Sequence, residues 1–246
     1  MIPKIIHFCW ISGDDYPPKI QMCIDSWREK LPDYEICVWD YEKVHKLNVR
    51  WCEEAISLKK YAFVADYIRF YALYNYGGIY LDSDVQVLKS FDDLLNLKYF
   101  VGKENHGWNW EAAVIGAEKG IYWIADCLAY YKKRAFVNCF GELQTHVLPY
   151  IIDKIVHGKY KVKDCYDIQE WEWNDAIVCR FPVDWFSPKC HDTEELFITD
   201  NTYSIHHFTK SWSSNPPTDL RLTITQRLLG RCKRFLSYMK HDVLKL

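Results

Sequence analysis

The chain has 246 residues, 31 basic against 33 acidic side chains, and a formal net charge of −2. Near-neutral charge argues against nucleic-acid binding as the main role, and no apolar run of 18 residues occurs to cross a membrane. Nearly half the residues are hydrophobic, enough for a sizeable core, and 17% are aromatic, with 11 Trp and 18 Tyr, a surplus that suits either an aromatic core or the faces of sugars and bases.

The opening MIPKIIHFCWISG has neither a basic leader nor a long apolar stretch, and Ile2 to Trp10 reads as a buried strand. None of the ten cysteines forms a CxxC pair, so the thiols read as reduced and the expected location is the cytoplasm. After the turn-rich SGDDYPP, residues Pro18 to Lys30 read as a helix ended by Leu31-Pro32-Asp33, and Tyr34 to Trp39 as a second strand. Ser57 to Tyr76 reads as one long helix, because apolar residues recur at Tyr61, Ala65, Ile68 and Ala72. Gly77-Gly78 ends it and Ile79 to Leu81 is a third strand. Further strands are expected at Tyr99–Val101, Ala112–Ala117 and Tyr203–Phe208, with a helix near Ile121 to Arg134 and an irregular stretch at Glu170 to Asp175. Strands alternating with helices predict an α/β fold with a mostly parallel sheet. Arg221 to Leu246 differs in character: seven basic residues against one acidic, with apolar residues at helical spacing. It reads as a basic amphipathic helix, either resting on a membrane surface or packed on the core. The chain thus divides into a catalytic region, 1–220, and a C-terminal helix, 221–246.

The stretch GGIYLDSDVQ carries the chemistry. If residues 79 to 85 are extended, Asp82 and Asp84 share one side of a strand end, where α/β sheets place ligands. Two hard oxygen donors there suit Mg²⁺ or Mn²⁺; the alternative is an exposed acidic turn. Asp66 and Arg69 lie at i and i+3 on the preceding helix, so all four side chains can meet in one crevice. A carboxylate and a guanidinium fork read hydroxyls and phosphates well, although such a pair is also an ordinary helix-surface ion pair.

AFVADYIRFYALYNYGGIYLDSDVQVL resembles the signature of glycosyltransferase family 32, the DXD-motif sugar transferases of bacterial capsules and lipopolysaccharides. IPKIIHFCWISG, EAAVIGAEKG and YSIHHFTKSW are similar to other stretches of that family, in its order, over residues 1 to about 213. The set also resembles the catalytic domain of the large bacterial glucosylating toxins. The resemblance implies a GT-A fold, one mixed, mostly parallel sheet flanked by helices. It implies a retaining transferase that moves a hexose or N-acetylhexosamine from a nucleotide sugar, with UDP favoured, to a hydroxyl of a growing, lipid-linked bacterial surface glycan.

It further implies Mn²⁺ or Mg²⁺ bound by Asp84 and Asp82, with His206, rather than His207, as a third ligand. Asp66 and Arg69 would hold the donor sugar, Trp10 would stack on the base, and Tyr80 would touch base or ribose. Ser211 and Trp212 would close over the diphosphate. Asp66, Arg69, Asp82 and Asp84 are therefore the expected catalytic residues, and Glu111 is a candidate on the acceptor side. FGELQTH, 140–146, departs from the family's Thr-Gly-Pro stretch, which leaves the acceptor unassigned. Two rivals stand beside this reading. A DxD phosphohydrolase would need a Thr where Gln86 stands and a motif after the first strand. An inactive relative acting as a glycan-binding protein would need no convergence of Asp66, Arg69, Asp82 and Asp84.

Overall fold

The computed structural model describes residues 1–104, 110–190 and 193–209. Among them a five-stranded sheet forms the centre, in the order β2-β1-β3-β6-β5. The strands are β1 (Ile5–Cys9), β2 (Glu35–Trp39), β3 (Gly78–Leu81), β5 (Tyr99–Gly102) and β6 (Glu111–Ala117). The β2-β1-β3 half is parallel, whereas β6 runs antiparallel to both β3 and β5. The sheet is therefore mixed but mostly parallel: β2, β1, β3 and β5 run one way and β6 alone is reversed. The cause is local: only residues 103–110 join β5 to β6, too few for the helical crossover that parallel pairing requires.

Two ribbons flank the sheet. One pairs β4 (Val85–Val87) with β9 (Ser204–His206), antiparallel; the other pairs β7 (Lys161–Asp164) with β8 (Ile177–Arg180), parallel. The predicted last strand, Tyr203–Phe208, is confined to β9.

Strand alternation divides the interior into two cores. Ile79 and Leu81 of β3 pack with Ile20, Ile24 and Trp27 of α1 (Pro18–Lys30). Tyr80 points the other way, among Ile68, Ala72 and Leu73 of α4 (Tyr61–Tyr76) and Ile124 and Cys127 of α5 (Tyr122–Tyr131). Helix α1 has the boundaries its Pro-initiated apolar face predicts, and Trp27 donates from Nε1 to the Val85 carbonyl at 2.7 Å, tying β4 to that helix. The expected single helix 57–76 is instead two. Helix α3 (Arg50–Ser57) ends, Lys59 takes φ 55°, and α4 begins at Tyr61. The polar Leu58-Lys59-Lys60 turn lets the two helices fold against each other. Helices α2 (Tyr41–His45), α6 (Leu148–Lys159) and α7 (Val183–Phe186) complete the shell.

Gly77 and Gly78 both have positive φ, 70° and 106°. They turn the chain from α4 into β3 between close neighbours. His7, 2% exposed, braces that turn: Trp39 Nε1 donates to its Nδ1, which leaves Nε2 protonated to donate to the Gly77 carbonyl at 2.9 Å. A Cβ on Gly78 would lie 2.6 Å from the Ile5 carbonyl oxygen of β1, whereas one on Gly120, at φ 82°, would meet nothing within 4 Å. Gly78→Ala is expected to lower the unfolding free energy by at least about 2 kcal/mol, and Gly120→Ala by only about 1 kcal/mol, in urea titrations of both variants. Equal losses would mean that φ alone, not the approach of β1, governs the junction.

Candidate active site

Strand β3 is central, buried at every position, and ends at Leu81. The next residues are not extended. The Val85 amide donates to the Asp82 carbonyl at 3.0 Å, so Asp82-Ser83-Asp84 form a tight turn between β3 and β4. The sequence expectation of one strand through residues 79–85 is corrected here. The two carboxylates face one site because the turn folds them toward it, not because of strand alternation. Ligand atoms of Asp82, Asp84 and His206 all lie within 4.8 Å of one another.

His206 arrives through β9. Val85 of β4 pairs with His206, and the His207 amide donates to the Asp84 carbonyl at 3.1 Å. The His206 ring then presents Nε2 to Asp84 Oδ1 at 3.6 Å and Nδ1 to Glu111 Oε1 at 3.5 Å. Alternation sends His207 elsewhere, to Gln86 Oε1 at 3.0 Å. Burial opposes a charge on His206, but Asp84 and then Glu111 outweigh it and raise its pKa to about 10. Burial likewise works against ionised Asp84, yet His206 and two hydrogen bonds from Thr209, at 2.8 and 3.0 Å, hold its carboxyl below the usual range.

Arg69 is the second cation. It is 3% exposed and reaches from α4 to Asp82 Oδ1 at 2.8 Å, with Asp66 at 3.9 Å. Its Nη1 donates to the Ala112 carbonyl of β6, and its guanidinium lies over the Tyr80 ring, 4.6 Å from the centroid. Burial, only partly offset by Arg69, lifts Asp66 to about 7 and also raises Asp82. The helix-strand arrangement thus brings Asp66, Arg69, Asp82, Asp84 and His206 together.

Other expected residues fall differently. Tyr80, expected beside a base or ribose, is 1% exposed beneath Arg69, so its ring supports the guanidinium instead of meeting a ligand. Glu111, expected on the acceptor side, is fully buried; it accepts from the Ala113 amide at 2.6 Å and backs His206. Trp10 follows β1 at its carboxyl end, half-buried, its Nε1 donating to the Asp14 carbonyl and its ring edge-on to Tyr16 at 5.0 Å. Ser211, Trp212 and the segment 221–246 lie outside the described residues. Thr209 and Glu104 were not singled out in the sequence. Glu104 follows β5, and burial together with the Glu111 charge pushes it up to about 8. Thr209 lies within YSIHHFTKSW, three residues after His206, whereas no motif marks Glu104.

A divalent cation suits this donor set. Two carboxylates are ordinary Mn²⁺ or Mg²⁺ partners, and the imidazole favours Mn²⁺ over Mg²⁺. Asp84 Oδ1 and His206 Nε2 face each other too far apart for a good direct hydrogen bond, and Glu111 Oε2 is buried without a hydrogen-bond partner. The arrangement fits a site whose charges are balanced by a ligand as well as by one another.

Residues 17–101 match the family of glycosyltransferase sugar-binding regions containing a DXD motif. The matched segment runs from α1 to β5 and includes Asp66, Arg69, Asp82 and Asp84. Inositol phosphoceramide mannosyltransferase 3 of Schizosaccharomyces pombe is 35% identical over 104 residues, 41% of this chain and 29% of the relative. The mannosyl phosphorylinositol ceramide synthase SUR1 of Saccharomyces cerevisiae is 32% identical over 110 residues, 42% of this chain and 28% of the relative. The chain therefore spans less than a third of the length of these relatives. Among solved structures, the PaToxG glycosyltransferase superposes with a TM-score of 0.48 at 19% identity, over 64% of this chain and 69% of the other. These named relatives are fungal mannosyltransferases, whereas the sequence resemblance pointed to bacterial capsule and lipopolysaccharide enzymes.

Arg69→Met would leave Asp82 and Asp66 facing each other in a low-dielectric region without their cation. The expected loss is about 3 kcal/mol of stability, read from the midpoint of urea denaturation. A neutral result would show that Asp82 is solvated well enough to dispense with Arg69.

Proposed function

We propose that this chain is a metal-dependent glycosyltransferase that moves a hexose or N-acetylhexosamine from a nucleotide sugar to an acceptor hydroxyl. The observation that carries the reading is the meeting of Asp82, Asp84 and His206 within 4.8 Å beside the buried Arg69, in the segment that matches the DXD-containing family. The matching GT-A reading of the fold rests on the same segment and on the mixed sheet with the site at the end of β3.

Asp82, Asp84 and His206 would hold Mn²⁺ or Mg²⁺. Such an ion supplies Lewis-acid stabilisation of the diphosphate as it leaves. The protein's own part is preorganisation. Thr209 holds Asp84 on one oxygen and leaves Oδ1 turned toward His206. Glu111 keeps the imidazole aimed at Asp84. Arg69 fixes Asp82, and Asp66, whose carboxyl sits near neutrality, can accept from or donate to a sugar hydroxyl. Trp10, which follows β1 at its carboxyl end, would stack on the base. Retention at the anomeric carbon and a uridine donor follow from the family resemblance, and the fungal relatives make a mannosyl donor a second choice to test. A lipid-linked acceptor, bacterial or otherwise, fits both groups of relatives.

The deciding experiment is calorimetry of UDP- and GDP-sugars with Mn²⁺, on wild type, Asp84→Asn and His206→Ala. One nucleotide sugar should bind, binding should vanish with EDTA, and each substitution should weaken it roughly tenfold or more. A folded wild type that binds no nucleotide sugar in Mn²⁺ would overturn the reading and favour a glycan-binding relative.

For location, we propose a cytoplasmic protein resting on the inner face of the membrane through 221–246. The basic, amphipathic composition of that segment supports this. No helix among the described residues is long and apolar enough to cross a membrane. Removing 221–246 should reduce co-sedimentation with anionic vesicles several-fold and spare neutral ones. Unchanged sedimentation would end the membrane role.

A further inference from the structure

A cavity of about 340 Å³ lies beside the β7-β8 ribbon, and its lining does not include Asp82, Asp84 or His206. Its volume is at the small end of the range for ligand sites. Tyr166 and Phe197 line it, although they are 66% and 64% exposed. Two large rings left in water at one cavity are costly unless something covers them.

The polar lining is fixed. Lys103 Nζ donates to Asp164 Oδ2 at 2.9 Å, and Arg180 Nε donates to Asp164 Oδ1 at 2.6 Å. Asp184 accepts from Thr199 Oγ1 at 2.7 Å through Oδ2. The Lys103 amide donates to the Phe181 carbonyl at 2.9 Å, joining the end of β5 to β8. The backbone beneath these side chains is therefore rigid.

Charge narrows the ligand. The cavity carries two carboxylates, Asp164 and Asp184, against one lysine, whose ammonium already serves Asp164. A phosphate or nucleotide would find Lys103 and Arg180 already committed to Asp164, with the Asp184 carboxylate beside it. A neutral ring rich in hydroxyls needs no free cation. Its C–H faces pack on Tyr166 and Phe197, and its hydroxyls donate to the remaining carboxylate lone pairs.

Position ties the cavity to the carboxylate cluster. Lys103 follows Gly102, which pairs across β5 and β6 with Glu111, the carboxylate 3.5 Å from His206 Nδ1. Val183 and Asp184 of the lining belong to α7, which is tied to β9 by the Ser204 hydroxyl donating to the Phe186 carbonyl at 3.0 Å. The cavity is thus joined through β5 to Glu111 and through α7 to β9, the strand that carries His206. We propose that this cavity is the subsite for a neutral sugar ring of the acceptor glycan, held between Tyr166, Phe197, Asp164 and Asp184. The role as acceptor subsite rests on the transferase reading; the sugar-ring site itself does not.

Saturation-transfer NMR with methyl glycosides of mannose, glucose, galactose and N-acetylglucosamine tests the site on the whole chain. At least one glycoside should bind wild type, and Tyr166→Ala and Phe197→Ala should each weaken it roughly tenfold. Phe140→Ala, equally exposed but outside the lining, should not. Glucose 6-phosphate should bind more weakly than the neutral glycosides. Failure of every glycoside to bind wild type, indifference to both cavity substitutions, or preference for the phosphorylated sugar overturns the proposal. Donor binding in Mn²⁺ separates the two readings. Nucleotide-sugar binding that persists in Tyr166→Ala while glycoside binding falls supports an acceptor subsite. Glycoside binding at the cavity with no nucleotide-sugar binding anywhere would fail the transferase reading alone.

Discussion

Arg69 makes four kinds of contact from one buried position: an ion pair with Asp82, a longer one with Asp66, a hydrogen bond to the Ala112 carbonyl, and a stacking contact with Tyr80. These contacts join helix α4 to strands β3 and β6 and to the turn after β3. Removing any carboxylate from water is costly without a partner, and this region holds Asp66, Asp82, Asp84 and Glu111 together. Two cations offset them, Arg69 from one side and His206 from the other. Everything else in the site is arranged around that balance.

The supporting structure is correspondingly specific. Gly77 and Gly78 bring α4 into β3 with no side chain between β3 and β1. That places Arg69 and Asp82, 13 residues apart, within hydrogen-bond distance. The His7–Trp39 pair braces the same junction from β1 and β2. On the other flank, β4 and β9 form a short antiparallel ribbon whose register sets His206 opposite Val85, next to Asp84. Trp27 holds that ribbon against α1. Two sheet junctions, separated by more than a hundred residues in the chain, therefore fix one cluster of ligand atoms.

The chemistry follows from where charge is tolerated. Asp84 is held ionised by His206 and Thr209, while burial keeps Asp66 and Glu104 near or above neutrality as proton-bearing groups. A site with firmly ionised ligands beside carboxyls that can exchange a proton is suited to binding a diphosphate through a cation and hydroxyls directly. The cavity near β7 and β8 has the opposite character, with exposed aromatic rings and its lysine already committed to a carboxylate.

Much of the site was legible in the residues themselves. Periodicity put Asp66 and Arg69 on one helical face, Gly77-Gly78 marked the turn, and two aspartates at a strand end marked where the acidic cluster forms. Local patterns carry such information because helix faces, glycine turns and buried strands are dictated by nearby residues. Three things were decided only by tertiary structure. Asp82 and Asp84 converge through a turn, since β3 stops where the sheet ends and β4 pairs with β9 instead of continuing it. Tyr80 and Glu111 became supports instead of ligands, because β6 lies antiparallel beside β3 and buries both. Thr209, inside the quoted YSIHHFTKSW but not singled out, and Glu104, in no motif, joined the cluster from distant segments. Burial and long-range pairing assign those roles, and neither is written in a local stretch of sequence.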